Sequence, residues 1–272
     1  MRRGAATAKI NLALVVGPRR RDGKHELVTV YQRLGIADRI ELEPAPALDV
    51  EGFPADTLVR GALAALAERA GVDARWRVRI EKRLPVAAGL GGGSSDAATA
   101  LRLANATLPE PLPDPELREV AATLGADVPF FLADGPQLGT GDGAELAPLD
   151  LPQDFWVLLV MPGSVQKPST AAVYAEFDLR GGQVAFEERR AALLAALERV
   201  RRPRDLAALP PNDLACSPLA DELSSLGAFR ADVSGAGPAV YGLFHHRDAA
   251  KAAQRALKRA GESWLTAPSW YG

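Results

Sequence analysis

Cysteine is almost missing from this chain: there is one, Cys216, in 272 residues. A single thiol excludes an intrachain disulfide and any cysteine-based metal cluster. In "NDLACSPL" it has no histidine close by in sequence, so it reads as a small buried hydrophobe rather than a nucleophile. Long apolar runs are missing too, and nothing approaches the ~20 residues that a membrane-spanning helix needs. The opening "MRRGAATAKINLALVV" has the outline of a secretion signal, but Lys9 and Asn11 interrupt its apolar part. It therefore reads as mature sequence, with the cytoplasm as the expected compartment. Neither sign of charge dominates, with 32 Lys and Arg against 34 Asp and Glu and a formal net charge of -2. That removes the electrostatic case for nucleic acid or an anionic membrane as partner. Of two short basic runs, Arg201–Arg204 reads as a solvated loop, while Pro18–Arg21 lies near candidate site residues and stays open. Internal repeats and long low-complexity segments are absent as well.

What is present fits one large or two modest globular domains, with 47% hydrophobic and 24% charged residues. "AKINLALVV" alternates, so Ile10, Leu12 and Leu14 are expected to face a core while Lys9 and Asn11 share the other strand face. "DTLVRGALAALAERAG" predicts a helix with Asp56 as N-cap and Gly71 as stop. "RWRVRIEK" predicts a strand burying Trp76, Val78 and Ile80 beneath an arginine stripe. A second helix runs through Ala97, Ala98 and Leu101, and a shorter one ends at Gly125. "FWVLLVMP" predicts a buried strand, and "ADVSGAGPAVYGLF" predicts strand, glycine turn, strand. The last helix is expected to start at Asp248 and to bury Ala249, Ala253, Ala256 and Leu257. Strands and helices interleave without a regular βαβ rhythm, which argues for an α+β fold. A composition break near Leu149–Gln153 divides the chain into expected lobes 1–150 and 151–272.

The most unusual stretch is "LPVAAGLGGGSSDAATAL", from Leu84 to Leu101. A helix start leaves backbone N–H groups unpaired and carries partial positive charge. Gly89, Gly91, Gly92 and Gly93 let main chain approach an anion closely, and the hydroxyls of Ser94 and Ser95 add donors. The stretch reads as a phosphate cradle. It is not a Walker A loop, because no lysine precedes Ser94, and it is not a dinucleotide fingerprint, because Ser94 stands at the last glycine position.

Four ordered segments, "AKINL", "DGKHEL", "GLGGGSSDAA" and "GADVPFFL", together with "VSGAGPAVYGLF", resemble the motifs of the GHMP small-molecule kinases. Within that superfamily they are most similar to the kinases of 4-diphosphocytidyl-2-C-methyl-D-erythritol, which act in non-mevalonate isoprenoid synthesis. The resemblance covers nearly the whole chain. It implies a two-lobed fold with the active site between the lobes, and phosphorylation of a 2-hydroxyl from ATP with Mg²⁺. It implies Lys9 and Asp127 as the catalytic pair, with the aspartate accepting the hydroxyl proton and the lysine holding it ionised. Without the resemblance, Asp127 reads as a turn acid and Lys9 as an exposed strand lysine. It further implies that Pro85, Ala88, Gly89, Leu90, Gly91, Gly92, Gly93, Ser94 and Ser95 hold the ATP phosphates. Asn11 is implied as a substrate or Asp127 partner, His25 as the reader of cytosine, and Thr170 and Tyr174 as contacts of the cytidine end. Gly235 and Gly237 are implied in a loop closing over phosphates and substrate, and Pro211–Asp213 as the start of a helix. No metal ligand is assigned beyond a candidate in Ser95, and the expected assembly is a monomer or homodimer.

One position departs from the family pattern. Where the kinases of this branch carry "DGYHEL", this chain has "DGKHEL", so the tyrosine that stacks on cytosine is replaced by Lys24. Base stacking on an aromatic is worth roughly 1–3 kcal/mol. Lys24 is expected to pair with a substrate phosphate, or Tyr31 to swing in as a substitute ring. Alternative acceptors of the same chemistry are mevalonate, a sugar or homoserine, and the alternative of another class is a non-catalytic nucleotide-binding module.

Overall fold

A computed structural model describes residues 1–53, 57–163 and 169–271. Two long strands, β1 (Arg2–Arg19) and β2 (His25–Pro44), form an antiparallel hairpin that is the spine of a six-stranded sheet. The sheet is completed by β3 (Asp49–Glu51), β4 (Trp76–Glu81), β5 (Gln137–Thr140) and β6 (Glu145–Pro148), in the order β3-β4-β2-β5-β6 with β1 on β2. β4 alternates buried and exposed, as its sequence predicts. Helices α1 (Leu58–Arg69), α2 (Gly92–Asn105) and α3 (Asp114–Leu124) bury their apolar faces in one core with Ile40, Leu42, Trp76, Val78 and Ile80. The expected cap Asp56 lies outside the described residues.

The second sheet is antiparallel, in the order β10 (Gly261–Thr266), β7 (Trp156–Pro162), β9 (Val240–Phe244), β8 (Arg230–Val233). Helices α5 (Phe186–Leu197), α6 (Pro218–Ser225) and α7 (Arg247–Ala256) pack against it, while α4 (Thr170–Leu179) lies against the β1–β2 hairpin through Val173 and Phe177. The last helix begins at Arg247 and buries Ala253 and Leu257 as expected, but Ala250 takes the place of Ala249 and Ala256 is exposed. Asp248 stands in its first turn, where an acid favours the helix dipole without capping.

Strand β1 serves both halves of the molecule. Ala8, Ile10 and Leu12 join a core with Val157 and Leu159 of β7 and Tyr241 and Leu243 of β9. A register shift between Asn11 and Ala13 then inverts the alternation. Beyond it Ala13 and Val15 face that core, and Leu14 turns to the other side, into a cluster with Val16, Leu27, Val173 and Phe177. The expectation that Leu14 continues the Ile10/Leu12 face fails for this reason. Ala267–Trp270 at the chain's end returns to the first sheet, with the Gly35 N–H on Ala267 O at 2.9 Å and the Gly135 N–H on Trp270 O at 2.8 Å.

Candidate active site

Lys9 and Asn11 project from the same face of β1, just before the bulge. The Lys9 ammonium donates to Asn11 Oδ1 at 2.7 Å, Asn11 Nδ2 donates to Thr29 Oγ1 at 2.7 Å, and that hydroxyl donates to Ala13 O at 2.8 Å. This chain fixes the amide with its oxygen toward the ammonium. Asp127 follows Gly125, the C-cap of α3, and precedes a 3-10 turn at Pro129–Leu132. Its Oδ2 lies 3.3 Å from Lys9 Nζ, and its Oδ1 accepts from the Tyr31 hydroxyl at 3.0 Å. The lysine side chain is 4% exposed and the aspartate 31%, so the carboxylate is the partner that a ligand can reach.

Tyr31 cannot swing toward a base. It is buried on β2, and a Cβ at Gly139 or Gly143 would lie 2.6 Å or 2.7 Å from its ring or hydroxyl, so two glycines close around it. Burial, with Asp127 beside it, pushes its phenol well above the usual tyrosine range. It therefore remains a donor to that carboxylate.

The glycine stretch ends where α2 begins. Gly91 is the N-cap in the left-handed region (φ +69°), and a Cβ there would lie 2.9 Å from Phe131 Cζ and 3.0 Å from Lys9 Cγ. The site therefore requires glycine twice over, for its dihedral and for the room it leaves. The Lys9 N–H donates to Leu90 O at 2.9 Å, which fastens the stretch to β1. From behind, the Ser234 hydroxyl donates to Gly89 O at 3.0 Å, and a Cβ on Gly89 would lie 2.2 Å from Ser234 O. The two glycine turns are thus packed back to back. Asn212 Nδ2 donates to Gly235 O at 2.6 Å and Val233 O at 3.0 Å, while Asp213 Oδ2 accepts from the Val16 N–H at 2.8 Å. Pro211–Asp213 therefore begins no helix; it pins the C-terminal glycine turn and the end of β1.

These elements enclose a cavity of about 580 Å³ walled by Lys9, Asn11, residues 85–94, Asp127, Thr170, Tyr174 and Gly235. Two expected residues stand outside the wall. Ser95 is buried within α2, and Gly237 supports Gly89 from behind. A second cavity of about 350 Å³, sharing Ala126 and Tyr174 with the first, is lined by Arg19, Lys24, His25 and Asp142. His25 stacks on Tyr174 (centroids 4.8 Å apart), and Lys24 Nζ is 2.5 Å from Asp142 Oδ2. Every expected residue is thus in one region, on the walls of two adjoining cavities or directly behind them.

Sequence reasoning missed a group beneath the glycine stretch. Lys82 reaches the first cavity and is held by two fully buried carboxylates, Asp38 Oδ2 at 2.5 Å and Asp96 Oδ2 at 2.8 Å. Burial pulls its pKa down, but the two carboxylates outweigh burial and hold it above the ordinary lysine value. Asp38 Oδ1 also accepts from the N–H groups of Arg83 and Leu84, at 2.5 and 2.8 Å, and so anchors the approach to the stretch. Asp178 and Asp142 around His25 and Lys24 were missed too, while Arg19, from the basic run left open, lines the smaller cavity and pairs with Asp178. The partners of the two aspartates are distant in sequence, and no spacing announces them.

Residues 57–135 match the family described as GHMP kinases N terminal domain, and residues 185–263 match GHMP kinases C terminal. A relative from Geobacter sulfurreducens named 4-diphosphocytidyl-2-C-methyl-D-erythritol kinase is 37% identical over 96% of both chains. One of the same name from Chlorobium phaeobacteroides is 37% identical over 92% of this chain and 91% of its own. A crystal structure of 4-(cytidine 5'-diphospho)-2C-methyl-D-erythritol kinase, 33% identical, superposes with a TM-score of 0.79 over 98% of this chain and 99% of the other. The mevalonate kinase of Methanococcus jannaschii, at 12% identity, shares the fold, with a TM-score of 0.75 over 98% of both. The chain belongs to the GHMP kinases, in the branch of its relatives named 4-diphosphocytidyl-2-C-methyl-D-erythritol kinase.

Proposed function

We propose that this protein is an ATP-dependent kinase that transfers the γ-phosphoryl group to the 2-hydroxyl of 4-diphosphocytidyl-2-C-methyl-D-erythritol. The observation that carries the reading is the Lys9–Asp127 pair, 3.3 Å apart and on one cavity wall with the bare main chain at the start of α2. Phosphoryl transfer is mostly placement and electrostatics, with a loose transition state. Asp127 accepts the proton of the attacking hydroxyl, using the oxygen that Tyr31 does not hold. Lys9 keeps that carboxylate ionised and offsets charge around the attacking oxygen. The glycine stretch and the Ser94 hydroxyl receive the phosphates, with the positive end of α2 behind them. His25, Tyr174 and Thr170 form the cytidyl end in and beside the smaller cavity.

No cluster of three or more His, Cys, Asp or Glu able to hold a metal occurs among the described residues. The Ser94 hydroxyl on the cavity wall suits Mg²⁺, which keeps waters and binds mainly through substrate phosphates with one or two protein groups. Ser94 is the group that would hold it, and it would neutralise charge on the phosphate oxygens. The lobes 1–150 and 151–272 meet at this cleft, and the cytoplasm is the compartment this chemistry suits; no described helix is long and apolar enough to cross a membrane.

The test is ADP release across a panel of acceptors. Turnover with the cytidyl substrate and not with mevalonate, homoserine or sugars supports the reading. Turnover with another acceptor alone reassigns the substrate, and none with any acceptor leaves a nucleotide-binding module.

A further inference from the structure

Asp178 belongs to α4, yet both of its oxygens are taken by the β1–β2 hairpin. Oδ1 lies 2.8 Å from His25 Nε2, while Oδ2 accepts from Arg19 Nε at 2.9 Å and Nη2 at 2.6 Å. The imidazole is held on its faces as well, stacked on Tyr174 and edge-on to Phe177 at 5.9 Å, and its side chain is 4% exposed. Ring plane and ring position are therefore both fixed.

A carboxylate only accepts hydrogen bonds, so the proton on this edge of the ring must be on Nε2. The hydrogen bond from His25, with the Arg19 guanidinium, holds the Asp178 carboxyl below the usual carboxylate range, so it remains an acceptor at neutral pH. In a neutral imidazole, fixing Nε2–H makes Nδ1 a lone-pair acceptor, and a second partner that sets the tautomer decides what the other nitrogen can read. Nδ1 has no hydrogen-bond partner among the described residues, and His25 lines the 350 Å³ cavity. An acceptor there suits the exocyclic amine of an aminopyrimidine. It opposes the carbonyl that a keto-pyrimidine carries at the same position, because two lone pairs would then face each other.

We propose that Asp178 is a specificity-determining positioning residue: by fixing His25 as the Nε2–H tautomer, it makes the smaller cavity selective for an amino-bearing base over its keto counterpart. The inference rests on reading that cavity as the site of the substrate's base. Arg19 completes the device by orienting the carboxylate from the side away from the ring.

The test has two arms. Histidine 15N spectra of the wild-type protein are expected to show the neutral His25 ring protonated on Nε2 and bare on Nδ1; a neutral ring with its proton on Nδ1, or a ring doubly protonated where the enzyme turns over, overturns the proposal whatever the variants do. In the second arm kcat/KM is measured with the cytidyl substrate and its uridyl analogue for wild type and Asp178→Asn. An asparagine amide can donate to Nε2 and so drive the proton to Nδ1. The cytidyl-to-uridyl ratio is expected to fall by roughly tenfold or more, the size of one misplaced buried hydrogen bond, with KM for ATP unchanged. A merely structural aspartate would lower both rates together and leave the ratio alone, and an unchanged ratio sinks the idea. If wild type turns over neither nucleotide, the kinase reading fails, and the spectra still decide whether Asp178 sets the tautomer.

Discussion

Gly93→Ala separates a glycine required for folding from one required for a ligand. Gly93 is the second residue of α2, and its φ is not among the positive ones. An added Cβ would have one neighbour within 4 Å, Leu58 Cδ1 at 3.4 Å, an ordinary contact. Nothing in the protein therefore objects to a methyl group. Alanine at a helical position is better than glycine by roughly 0.5–1 kcal/mol. In a chain of this size that raises the melting temperature by about 1–4 °C. The same methyl group would stand on the wall of the 580 Å³ cavity, where the phosphates of ATP are proposed to meet main chain. Losing one charge-assisted hydrogen bond there costs roughly 1.5–3 kcal/mol, or about a 10- to 150-fold rise in KM for ATP. Thermal unfolding and an ADP-release assay at varied ATP measure the two effects on one preparation. A protein that melts higher and binds ATP as before would show that no phosphate lies against Gly93. The same substitution at Gly91 would not discriminate, since positive φ and the Phe131 contact damage the fold as well.

Asp127→Asn removes the proposed base at nearly constant shape, so kcat should fall by roughly 10²–10⁴ while ATP still binds; near-normal turnover would remove Asp127 from the mechanism. Tyr31→Phe deletes only the hydroxyl on Asp127 Oδ1, and kcat should fall by about tenfold with KM for ATP unchanged, as expected for one lost hydrogen bond to a charged group; an unchanged kcat would mean that Lys9 alone orients the carboxylate. Lys24→Tyr gives up the Asp142 ion pair but supplies a ring at the mouth of the smaller cavity. KM for the cytidyl substrate should drop by about one to two powers of ten, and no drop would mean that the base already has its stacking partner. Lys82→Met leaves Asp38 and Asp96 buried without their ammonium, and the denaturation midpoint should fall by the equivalent of roughly 3–5 kcal/mol; a protein of normal stability would show that these carboxylates do not depend on Lys82.

The parts of this site legible in the sequence were those with a local signature. Glycines before an alanine-rich helix announce a cradle because the backbone itself is the binding group. Alternation around Lys9 and Asn11 announces their shared face because a strand has period two. Long-range partners leave no such mark. Asp38 stands 44 residues from the Lys82 it grips, and Asp178 is 153 residues from His25. A carboxylate in either local context reads as one more surface acid. Tyr31 misled for the opposite reason: a tyrosine near a depleted base pocket suggests a spare ring, and only the closeness of Gly139 and Gly143 shows that it is locked beneath Asp127. Lys24 remained open because its pairing depends on Asp142, which the β5–β6 turn brings across.

The bulge between Asn11 and Ala13 shows how one irregularity reconciles core and chemistry. A strand with strict alternation would keep a single face apolar along its whole length, and every residue on the other face would share the environment of Lys9 and Asn11. Here Ile10 and Leu12 fill the core beneath the site, and the inversion hands that duty to Ala13 and Val15. Leu14 and Val16 are thereby released to the cleft side, where with Val173 and Phe177 they seat α4. That helix carries Tyr174 and Asp178, so the position of the smaller cavity, proposed to read the base, relative to Lys9 is set by a slip of one residue in β1. The proposed phosphoryl-transfer end and the proposed recognition end of the cleft are accordingly built on the same strand, on opposite sides of one bulge, and a change that straightens β1 should misalign the two ends together instead of weakening either alone.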